Sequence, residues 1–360
     1  MGPLSTDLGL PRLRGTDPAA GDPVAGDLVA QALDTGRLVD RFGRVHRDLR
    51  ISLTDRCSLR CTYCMPEQGL PWLAKPTLLT TPELLRLVEV AVSLGIEEVR
   101  LTGGEPLLRR DLVDVVAGIA ALGPEVSMTT NALGLERQAQ ALVDAGLTRV
   151  NISLDTLRHD TFRALARRDR LDDTLAGIAA ADAAGLRPLK LNTVLMRDLN
   201  DVEAVDLLAF ALEHGYQLRF IEQMPLDAGH TWTRENMVSG EEILARLRTA
   251  YALEPVPQRG SAPAELFTVD GGPATVGVIA SVSAPFCGAC DRVRLTADGQ
   301  VRNCLFATGE TDLRTPLRDG ADEEELRALV AASIAVKLPG HGINEPGFLQ
   351  PPRPMSAIGG

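Results

Sequence analysis

The chain has 360 residues, 45% of them apolar and 24% charged, with a formal net charge of −11. That content can bury a large core, either as one barrel-sized α/β domain with an extension or as two domains, and it excludes disorder for the bulk of the chain. The negative charge opposes binding to nucleic acid and anionic membranes, so an anionic ligand needs a local cluster of cations. Neither a run of about 18 apolar residues nor a signal-peptide pattern occurs, which predicts a cytoplasmic protein without a membrane span.

Regular elements are predicted from about residue 47. Residues 1–40 are rich in Gly, Pro, Asp and Ala without sustained periodicity, which predicts a mobile N-terminal extension. Short β-rich runs then alternate with longer helical stretches in six β/α units, from DLRISLT with TPELLRLVEVAVSLG to YQLRFIEQM with EEILARLRTAY. Such units specify a parallel sheet with helices outside it, so we predict an incomplete parallel (β/α)6 TIM-type barrel over residues 41–250. Glycines expected to end the helices are Gly95, Gly123, Gly146, Gly185 and Gly215.

The last part of the chain, residues 251–360, is predicted to be an extension that caps the barrel. It contains short strands, the helix ADEEELRALVAASIAVK and a tail rich in Gly and Pro. Since the chemistry of such barrels collects at the C-terminal ends of the strands, the residues that end each β-run are the candidates for function.

All six cysteines fall into two groups of three. Tight spacing in a cytosolic chain indicates metal binding or redox chemistry rather than disulfides. The first group, Cys57-x3-Cys61-x2-Cys64, directly follows the first β-run. Three thiolates suit a 4Fe–4S cluster whose fourth iron is open to an outside ligand, whereas a structural zinc site takes four protein ligands. A zinc or structural site remains the alternative.

The second group, Cys287-x2-Cys290-x13-Cys304, lies in the C-terminal extension. It again offers three thiolates and predicts a second 4Fe–4S cluster. Two alternatives remain open: a zinc site completed by His341 or an Asp, and a structural cluster with no open iron.

The first triad, with Tyr63 inside its last gap, resembles the signature of the radical S-adenosylmethionine (SAM) superfamily. Together the two triads resemble the GTP 3′,8-cyclase family, which begins molybdenum cofactor biosynthesis. The resemblance runs from about residue 41 to the C terminus and includes DRFGRVHRDLRISLTDRC, CMP, LTGGEPLLRRDL, TTN, NISLDT, CGACDRVRLTADG, HGI and the terminal Gly-Gly. The chain departs from the family at Ala132, where Gly is usual, and at Met355, Ser356 and Ala357, where aromatic residues are common.

The resemblance implies two 4Fe–4S clusters and SAM as cofactors. The residues expected to contact SAM are Tyr63, Gly103, Gly104, Ser153 and Met224. Without the resemblance, the Gly-Gly pair would be an ordinary βα turn and Met224 a core residue.

GTP is the implied substrate. A triphosphate on an acidic protein needs converging cations, and Arg292 and Arg294 alternate along the chain so that a strand would project both to one face. A single Arg is by default a solvated surface group, and no Gly-x4-Gly-Lys-Ser/Thr loop is present, so hydrolysis is not expected. The resemblance gives the GTP contacts as Arg50, Arg100, Thr129, Lys190, Arg292 and Arg294. It also implies catalytic roles for Arg50, Gly359 and Gly360, because the Gly-Gly tail enters the active site in this family.

The implied reaction removes H3′ of GTP with a 5′-deoxyadenosyl radical and joins C3′ to C8; reduction of the resulting radical by one electron, with uptake of a proton, gives (8S)-3′,8-cyclo-7,8-dihydroguanosine 5′-triphosphate. Implied partners are a flavodoxin- or ferredoxin-like electron donor and a downstream pyranopterin monophosphate synthase, but no nucleic acid or membrane. A homodimer is one expected state. Two rival hypotheses remain: a radical SAM peptide-modifying enzyme with an auxiliary cluster, and a zinc-stabilised interaction protein.

Overall fold

A twelve-stranded sheet is the scaffold of the computed structural model, which describes residues 21–257 and 259–359. Its strand order is β12-β11-β10-β1-β2-β3-β4-β5-β6-β9-β8-β7. In this order, the strands between β10 at one side and β9 at the other all run parallel to one another. The strands are β1 Asp48–Ser52, β2 Glu98–Thr102, β3 Glu125–Thr130, β4 Leu147–Ser153, β5 Lys190–Val194, β6 Gln217–Ile221, β7 Leu253–Pro255, β8 Glu265–Val269, β9 Thr275–Ile279, β10 Arg292–Leu295, β11 Gln300–Arg302 and β12 Thr311–Asp312. The predicted six β/α units and their parallel order are confirmed, and the sheet is an incomplete barrel with β12 and β7 at its ends.

Helices connect these strands and begin where the sequence provides caps. Thr80 and Glu83 form a capping box at the start of α2, and Ser239 and Glu242 form another at α8. The helices are α1 Pro23–Thr35, α2 Thr81–Ser93, α3 Leu112–Ala121, α4 Ala139–Asp144, α5 His159–Ala166, α6 Leu171–Ala183, α7 Ala204–His214, α8 Gly240–Leu247, α9 Arg314–Asp319, α10 Glu323–Ala335 and α11 Met355–Ile358. Gly215 ends α7 in the left-handed conformation that glycine adopts without strain, as predicted.

The two faces of the parallel sheet differ in polarity because side chains alternate along each strand. Leu49 and Ile51 of β1 belong to the main apolar core with residues of α2 and α3. Arg50 lies between them on the opposite face, in register with Arg294 of β10 and Arg100 of β2. The inside of the incomplete barrel is therefore polar, and its helix-covered outside is apolar.

The N-terminal segment differs from the sequence prediction. Asp22 caps α1, Pro23 occupies its first turn, and Ala25 packs against Ala332 and Ala335 of α10. We predicted no element in residues 21–40, because the buried face of α1 consists of small alanines that give a weak apolar period. The prediction of mobility for residues 1–20 lies outside the described residues.

The C-terminal part of the chain extends the barrel sheet at both sides. β9 pairs with β6 and β10 pairs with β1, both in parallel. The predicted boundary at residue 250 therefore separates stretches of sequence that share one sheet. No helix among the described residues is long and apolar enough to cross a membrane.

Candidate active site

The first cysteine group lies in the loop after β1. The N–H groups of Cys64 and Met65 both donate to the Cys61 carbonyl at 3.0 Å, which closes a turn around the last two thiols. The Asn131 amide lies 3.7 Å from the Cys57 sulfur. Burial raises the pKa of Cys57 to about 11 and that of Cys64 to about 12. Burial thus keeps these thiols protonated in the absence of a metal, and they are not activated as free nucleophiles.

The Gly103-Gly104 turn after β2 packs directly on this loop. A Cβ atom at Gly103 would lie 2.6 Å from the Thr54 carbonyl, and one at Gly104 would lie 2.2 Å from the Arg56 carbonyl. The Gly104 N–H donates to the Thr54 carbonyl at 2.6 Å. Glycine is thus required at both positions by the approach of the cysteine loop, whereas the sequence argument rested on the approach of a ligand.

Two residues without an assigned role in the sequence analysis hold the first cysteine group. Glu105 is 1% exposed and accepts hydrogen bonds from the Thr130 hydroxyl at 2.6 Å and the Asn131 N–H at 2.8 Å. Burial raises its pKa to about 7. Asn131 in turn reaches Cys57 and the Ser58 hydroxyl. Glu105 belongs to the motif LTGGEP and Asn131 to the motif TTN. A carboxylic acid and an amide near the ends of predicted strands were the features of the sequence that could have identified them.

Ala132, where the family usually has Gly, keeps the left-handed backbone with φ 64° and is fully buried. It lies against Gly177 of α6, where an added Cβ would be 2.3 Å from the Ala132 carbonyl oxygen. Ala132 therefore adopts the turn conformation that glycine favours. The absence of a side chain at Gly177 leaves the space that Ala132 occupies.

The other predicted SAM-contacting residues lie in the cysteine loop and near the ends of β4 and β6. The Tyr63 hydroxyl donates to Asp155 at 2.7 Å, and Asp155 also accepts from the Val194 N–H at 2.9 Å. This bond ties the cysteine loop to the end of β4, where Ser153 is the last residue. Met224 packs beside an apolar cluster that includes Ile358 of the tail. Met224 therefore packs as a core residue and also lies near the end of β6, where a contact with SAM was expected.

The second cysteine group has a cationic environment, unlike the first. Arg292 Nε lies 3.3 Å and Lys337 Nζ 3.7 Å from the Cys290 sulfur. Burial opposes ionisation, but these two cations outweigh it and lower the pKa of Cys290 to about 7. Arg44 donates to the Cys287 carbonyl at 2.8 Å. Cys304 packs beside the same apolar cluster as Met224.

His341 does not complete a metal site with these cysteines. Its Nδ1 accepts from the Ile343 N–H at 3.2 Å, so Nε2 carries the proton and donates to the Ser281 carbonyl at 3.1 Å. With both ring nitrogens engaged, the zinc alternative that relied on His341 loses its fourth ligand. Across residues 21–257 and 259–359, no three His, Cys, Asp or Glu side chains converge as ligands of a single metal ion.

The inside of the barrel carries a row of buried and half-buried cations. Arg294, Arg50 and Arg100 are in register across β10, β1 and β2. Arg219 of β6, 8% exposed, is a further cation that the sequence analysis missed. The sequence feature that could have identified Arg219 is the alternation of apolar and polar residues along β6, which places it on the inner face. It is in register with Asn192 of β5. Among the described residues, the Nε atoms of Arg50, Arg100 and Arg219 are buried without a hydrogen-bond partner.

These cations are only partly neutralised. Burial and neighbouring arginines lower the pKa of Arg50 to about 10 and those of Arg219 and Arg294 to about 9. Burial and Arg219 lower the pKa of Lys190 to about 8. Asp48 is the carboxylate next to Arg50; burial opposes its ionisation, but the surrounding arginines keep its pKa below the usual value. A set of like charges this deeply buried fits a polyanionic ligand.

The remaining predicted GTP contacts lie close by. Arg292 is in register with Asp48, and Thr129 is in register with Asn151, which pairs with Lys190. Thr129 and Lys190 thus share one row on the inner face of the sheet.

The C-terminal tail lies at the C-terminal ends of β1 and β2. The Gly359 carbonyl accepts a hydrogen bond from Arg294. A Cβ at Gly359 would lie 2.9 Å from Thr102 Cγ2 and 3.1 Å from Ser52 Cβ, so only glycine fits there. The backbone N–H of Ser356 lies near Cys64 of the first group and acts to lower its pKa, against the larger effect of burial. The tail therefore contacts both the first cysteine group and the cations, while Gly360 lies outside the described residues.

Comparison with known proteins gives the family. The family model described as Radical SAM superfamily matches residues 51–211, and that described as Molybdenum Cofactor Synthesis C matches residues 216–343. A GTP 3′,8-cyclase of Streptomyces coelicolor is 63% identical over 328 residues, which are 90% of this chain and 96% of that protein. The chain belongs to the GTP 3′,8-cyclase family. A further relative, GTP 3′,8-cyclase 2 of Mycobacterium tuberculosis, is 56% identical and covers 99% of both chains.

Membership of the GTP 3′,8-cyclase family confirms the resemblance seen in the motifs, and its radical SAM part implies SAM and a 4Fe–4S cluster. Among solved structures, Streptococcus suis SuiB bound to the precursor peptide SuiA has a TM-score of 0.58 at 15% identity, covering 85% of this chain and 74% of that one. This likeness concerns the fold alone. It supports the observed arrangement of strands and helices and carries no weight for the rival peptide-modifying function.

Proposed function

We propose that this chain is a GTP 3′,8-cyclase that converts GTP to (8S)-3′,8-cyclo-7,8-dihydroguanosine 5′-triphosphate, the first step of molybdenum cofactor biosynthesis. The observation that carries the proposal is the row of partly neutralised cations inside the barrel, which includes Arg292 beside the second cysteine group. Relatives of 56–63% identity bear this name.

Cys57, Cys61 and Cys64 would hold a 4Fe–4S cluster, with SAM beside Tyr63, Gly103, Gly104, Ser153 and Met224. When bound, this cluster and SAM supply a 5′-deoxyadenosyl radical that takes H3′ from the GTP ribose. The chain contributes position: the hydrogen bond from Tyr63 to Asp155 and that from Asn131 to Cys57 fix the loop between the ends of β1, β3 and β4.

Cys287, Cys290 and Cys304 would hold a second 4Fe–4S cluster near the guanine. Arg292 and Lys337 support this assignment, since both place positive charge beside the Cys290 sulfur. Arg50, Arg100, Lys190, Arg219, Arg292 and Arg294 would bind the triphosphate, with Thr129 at its edge. Charge-assisted bonds of this kind are the strong ones in recognising phosphate.

Gly359 and Gly360 would act with Arg50 in catalysis. The Gly359 carbonyl already accepts a hydrogen bond from Arg294, so the tail and the triphosphate use the same group of cations. A tail in this position also excludes water from the site of a reactive carbon radical.

The deciding experiment is anaerobic reconstitution of the full chain with iron and sulfide, followed by reaction with SAM, GTP and dithionite. We expect 5′-deoxyadenosine and the cyclic triphosphate in equal amounts, and deuterium transfer to 5′-deoxyadenosine from GTP labelled at C3′. Two results would contradict the proposal. One is 5′-deoxyadenosine that contains no deuterium, and the other is formation of 5′-deoxyadenosine while no GTP is consumed. A colourless preparation without cluster absorbance would favour the zinc-stabilised interaction protein.

Cys61→Ala tests the two-cluster assignment. The ligands of the two clusters come from separate parts of the chain, so the variant should lose SAM cleavage and keep the spectrum of the second cluster. Cys304→Ala is the matched control and should show the reverse pattern for the two spectra. Loss of both clusters in either folded variant would sink the assignment.

The electron donor of flavodoxin or ferredoxin type, the downstream pyranopterin monophosphate synthase, the homodimer and the cytoplasmic location remain predictions from the sequence. For the donor, reduced flavodoxin or ferredoxin should replace dithionite in the same assay.

A further inference from the structure

The base of the C-terminal tail carries an ion-pair contact that none of the roles above uses. Arg353 donates to both oxygens of Asp298, at 3.0 and 2.8 Å, and its Nε lies 2.7 Å from Glu310 Oε1. The side chains of Arg353 and Asp298 are each 11% exposed. A two-pronged contact of this kind fixes direction as well as distance, because the planar guanidinium matches the carboxylate.

The partners of Arg353 are held in place independently of the tail. Asp298 lies in the turn between β10 and β11 and accepts from the Thr296 hydroxyl at 2.7 Å. Glu310 accepts a hydrogen bond from Arg302, whose side chain is 1% exposed. Both carboxylates therefore keep a hydrogen-bond donor when Arg353 is removed.

The base of the tail borders a large cavity. Residues 350–354, 356 and 357 line one wall of a cavity of about 1200 Å³, which is also lined by residues 70–74 and by Asp298 and Glu310. Away from the cavity, Gln350 donates to the Asp227 carbonyl at 2.8 Å and the Met355 N–H to the Leu226 carbonyl at 3.0 Å. Beyond the base of the tail, Ile358 is 1% exposed in an apolar cluster and Gly359 reaches Arg294.

We infer that Arg353 is the positioning residue that seats the Gly-Gly tail, by docking on Asp298 and Glu310. From this fixed point the chain runs through the short helix α11 to Gly359, whose carbonyl accepts from Arg294. The inference rests on the proposed function for its catalytic consequence, while the docking itself rests on the contacts above.

The test uses the full-length protein with its clusters reconstituted anaerobically, as wild type, Arg353→Ala, Asp298→Asn and the double variant. Release of the C-terminal glycines by a carboxypeptidase, followed by mass spectrometry, reports how often the tail leaves its seat. We expect release to be about tenfold faster or more in each single variant, because one strong charged contact is lost. The double variant should be no faster than Arg353→Ala, because that single variant already removes the contacts with both Asp298 and Glu310.

Arg314→Ala is the matched control. Arg314 lines the same cavity but donates to the Thr77 carbonyl at 2.6 Å instead of to the tail's partners. Its tail should be released at the wild-type rate. Faster release in this control, equal to that in Arg353→Ala, would show a general loosening of the cavity and would overturn the inference.

Turnover gives a second readout. Arg353→Ala should lower kcat for cyclisation and leave KM for GTP and both cluster spectra unchanged. A peptide with the sequence of residues 350–360 should restore turnover to this variant, and the same peptide with Ala in place of Arg should not do so at equal concentration. Restoration by both peptides alike would overturn the role of Arg353.

The two proposals fail separately. If the wild type forms no cyclic product while Arg353→Ala still loses its glycines faster, the proposed function is wrong and the docking stands. If the wild type cyclises GTP and Arg353→Ala matches it in glycine release and in kcat, the docking is wrong and the function stands.

Discussion

At the scale of single residues, the polar groups inside the barrel carry most of the functional information. Arg219 stands out because it is buried, charged and without a hydrogen-bond partner for its Nε among the described residues. A buried cation of this kind is unfavourable unless a ligand completes it. The same reasoning applies to Arg50 and Arg100, which the family motifs had already indicated.

Arg219→Gln should weaken GTP binding roughly tenfold or more, since a charge-assisted contact is worth about 1.5–3 kcal/mol. Binding of guanosine, which has no phosphates, should change little. Arg246→Gln is the control, because Arg246 pairs with Asp201 outside the barrel. Equilibrium dialysis with both ligands makes the measurement, and an equal loss for GTP and guanosine would remove Arg219 from the triphosphate site.

His46 gives a pH dependence of known sign. It is fully buried, and burial together with Lys337 and Arg44 lowers its pKa from 6.5 to about 2. The unfolded chain takes up a proton below pH 6.5 and the folded chain does not, so stability is present above that pH and is lost as the pH falls. Between pH 7 and pH 5 the loss amounts to about 2 kcal/mol.

His46→Gln should remove this loss, because its amide oxygen can accept from Lys337 and does not titrate. Urea unfolding at pH 7 and pH 5 measures the difference. His159 should contribute a pH dependence of stability of the opposite sign, because its hydrogen bond with Asp169 raises its pKa. A His46→Gln variant with the wild-type dependence on pH would show that His46 takes up a proton in the folded state.

At the scale of elements, α6 is placed by a glycine. Gly177 lies in the middle of this helix, where an added Cβ would be 2.3 Å from the Ala132 carbonyl and 2.7 Å from its Cβ. This close approach supports the turn that presents Asn131 to Cys57. The helix therefore connects packing on the outside of the barrel to the first cysteine group.

Gly177→Ala should destabilise the protein by about 1–3 kcal/mol, because overpacking outweighs the gain of up to about 1 kcal/mol in helix propensity. Gly26→Ala is the matched control in α1, where nothing lies within 4 Å of the new Cβ. It should stabilise by up to about 1 kcal/mol. Thermal unfolding of both variants makes the measurement. A Gly177→Ala protein as stable as the wild type would show that the turn at Ala132 shifts at little cost to accommodate the added methyl group.

At the scale of the whole molecule, the two parts of the chain share one sheet. β10 covers the edge of β1 and β9 covers the edge of β6, and both strands come from beyond residue 250. An uncovered edge of a parallel sheet exposes unpaired backbone groups and promotes aggregation. The six-unit barrel is therefore not expected to be stable by itself.

A chain ending at residue 250 should be insoluble or unfold without a cooperative transition. A chain ending at residue 349 keeps all twelve described strands and should unfold cooperatively, close to the full-length protein. Solubility and thermal unfolding of the two chains make the comparison. A soluble, cooperatively folded chain of 250 residues would contradict the shared-sheet argument.

The sequence by itself determined the features that depend on local pattern. The alternation of β-runs and helices predicted the six parallel units, because the two periods differ within a few residues. The spacing of the cysteines predicted the two triads, and the motifs around them led to the GTP 3′,8-cyclase family. Arg292 and Arg294 were predicted on one face of a strand, and both belong to β10.

Tertiary structure decided what depends on pairing between distant segments. Nothing local in YQLRFIEQM shows that Arg219 joins Arg50 and Arg100, since this follows from the order of strands in the sheet. The partners of Arg353 lie 55 and 43 positions earlier in the chain, at Asp298 and Glu310. Contacts of this kind depend on the closure of long loops, whose geometry is fixed only when the whole sheet has formed.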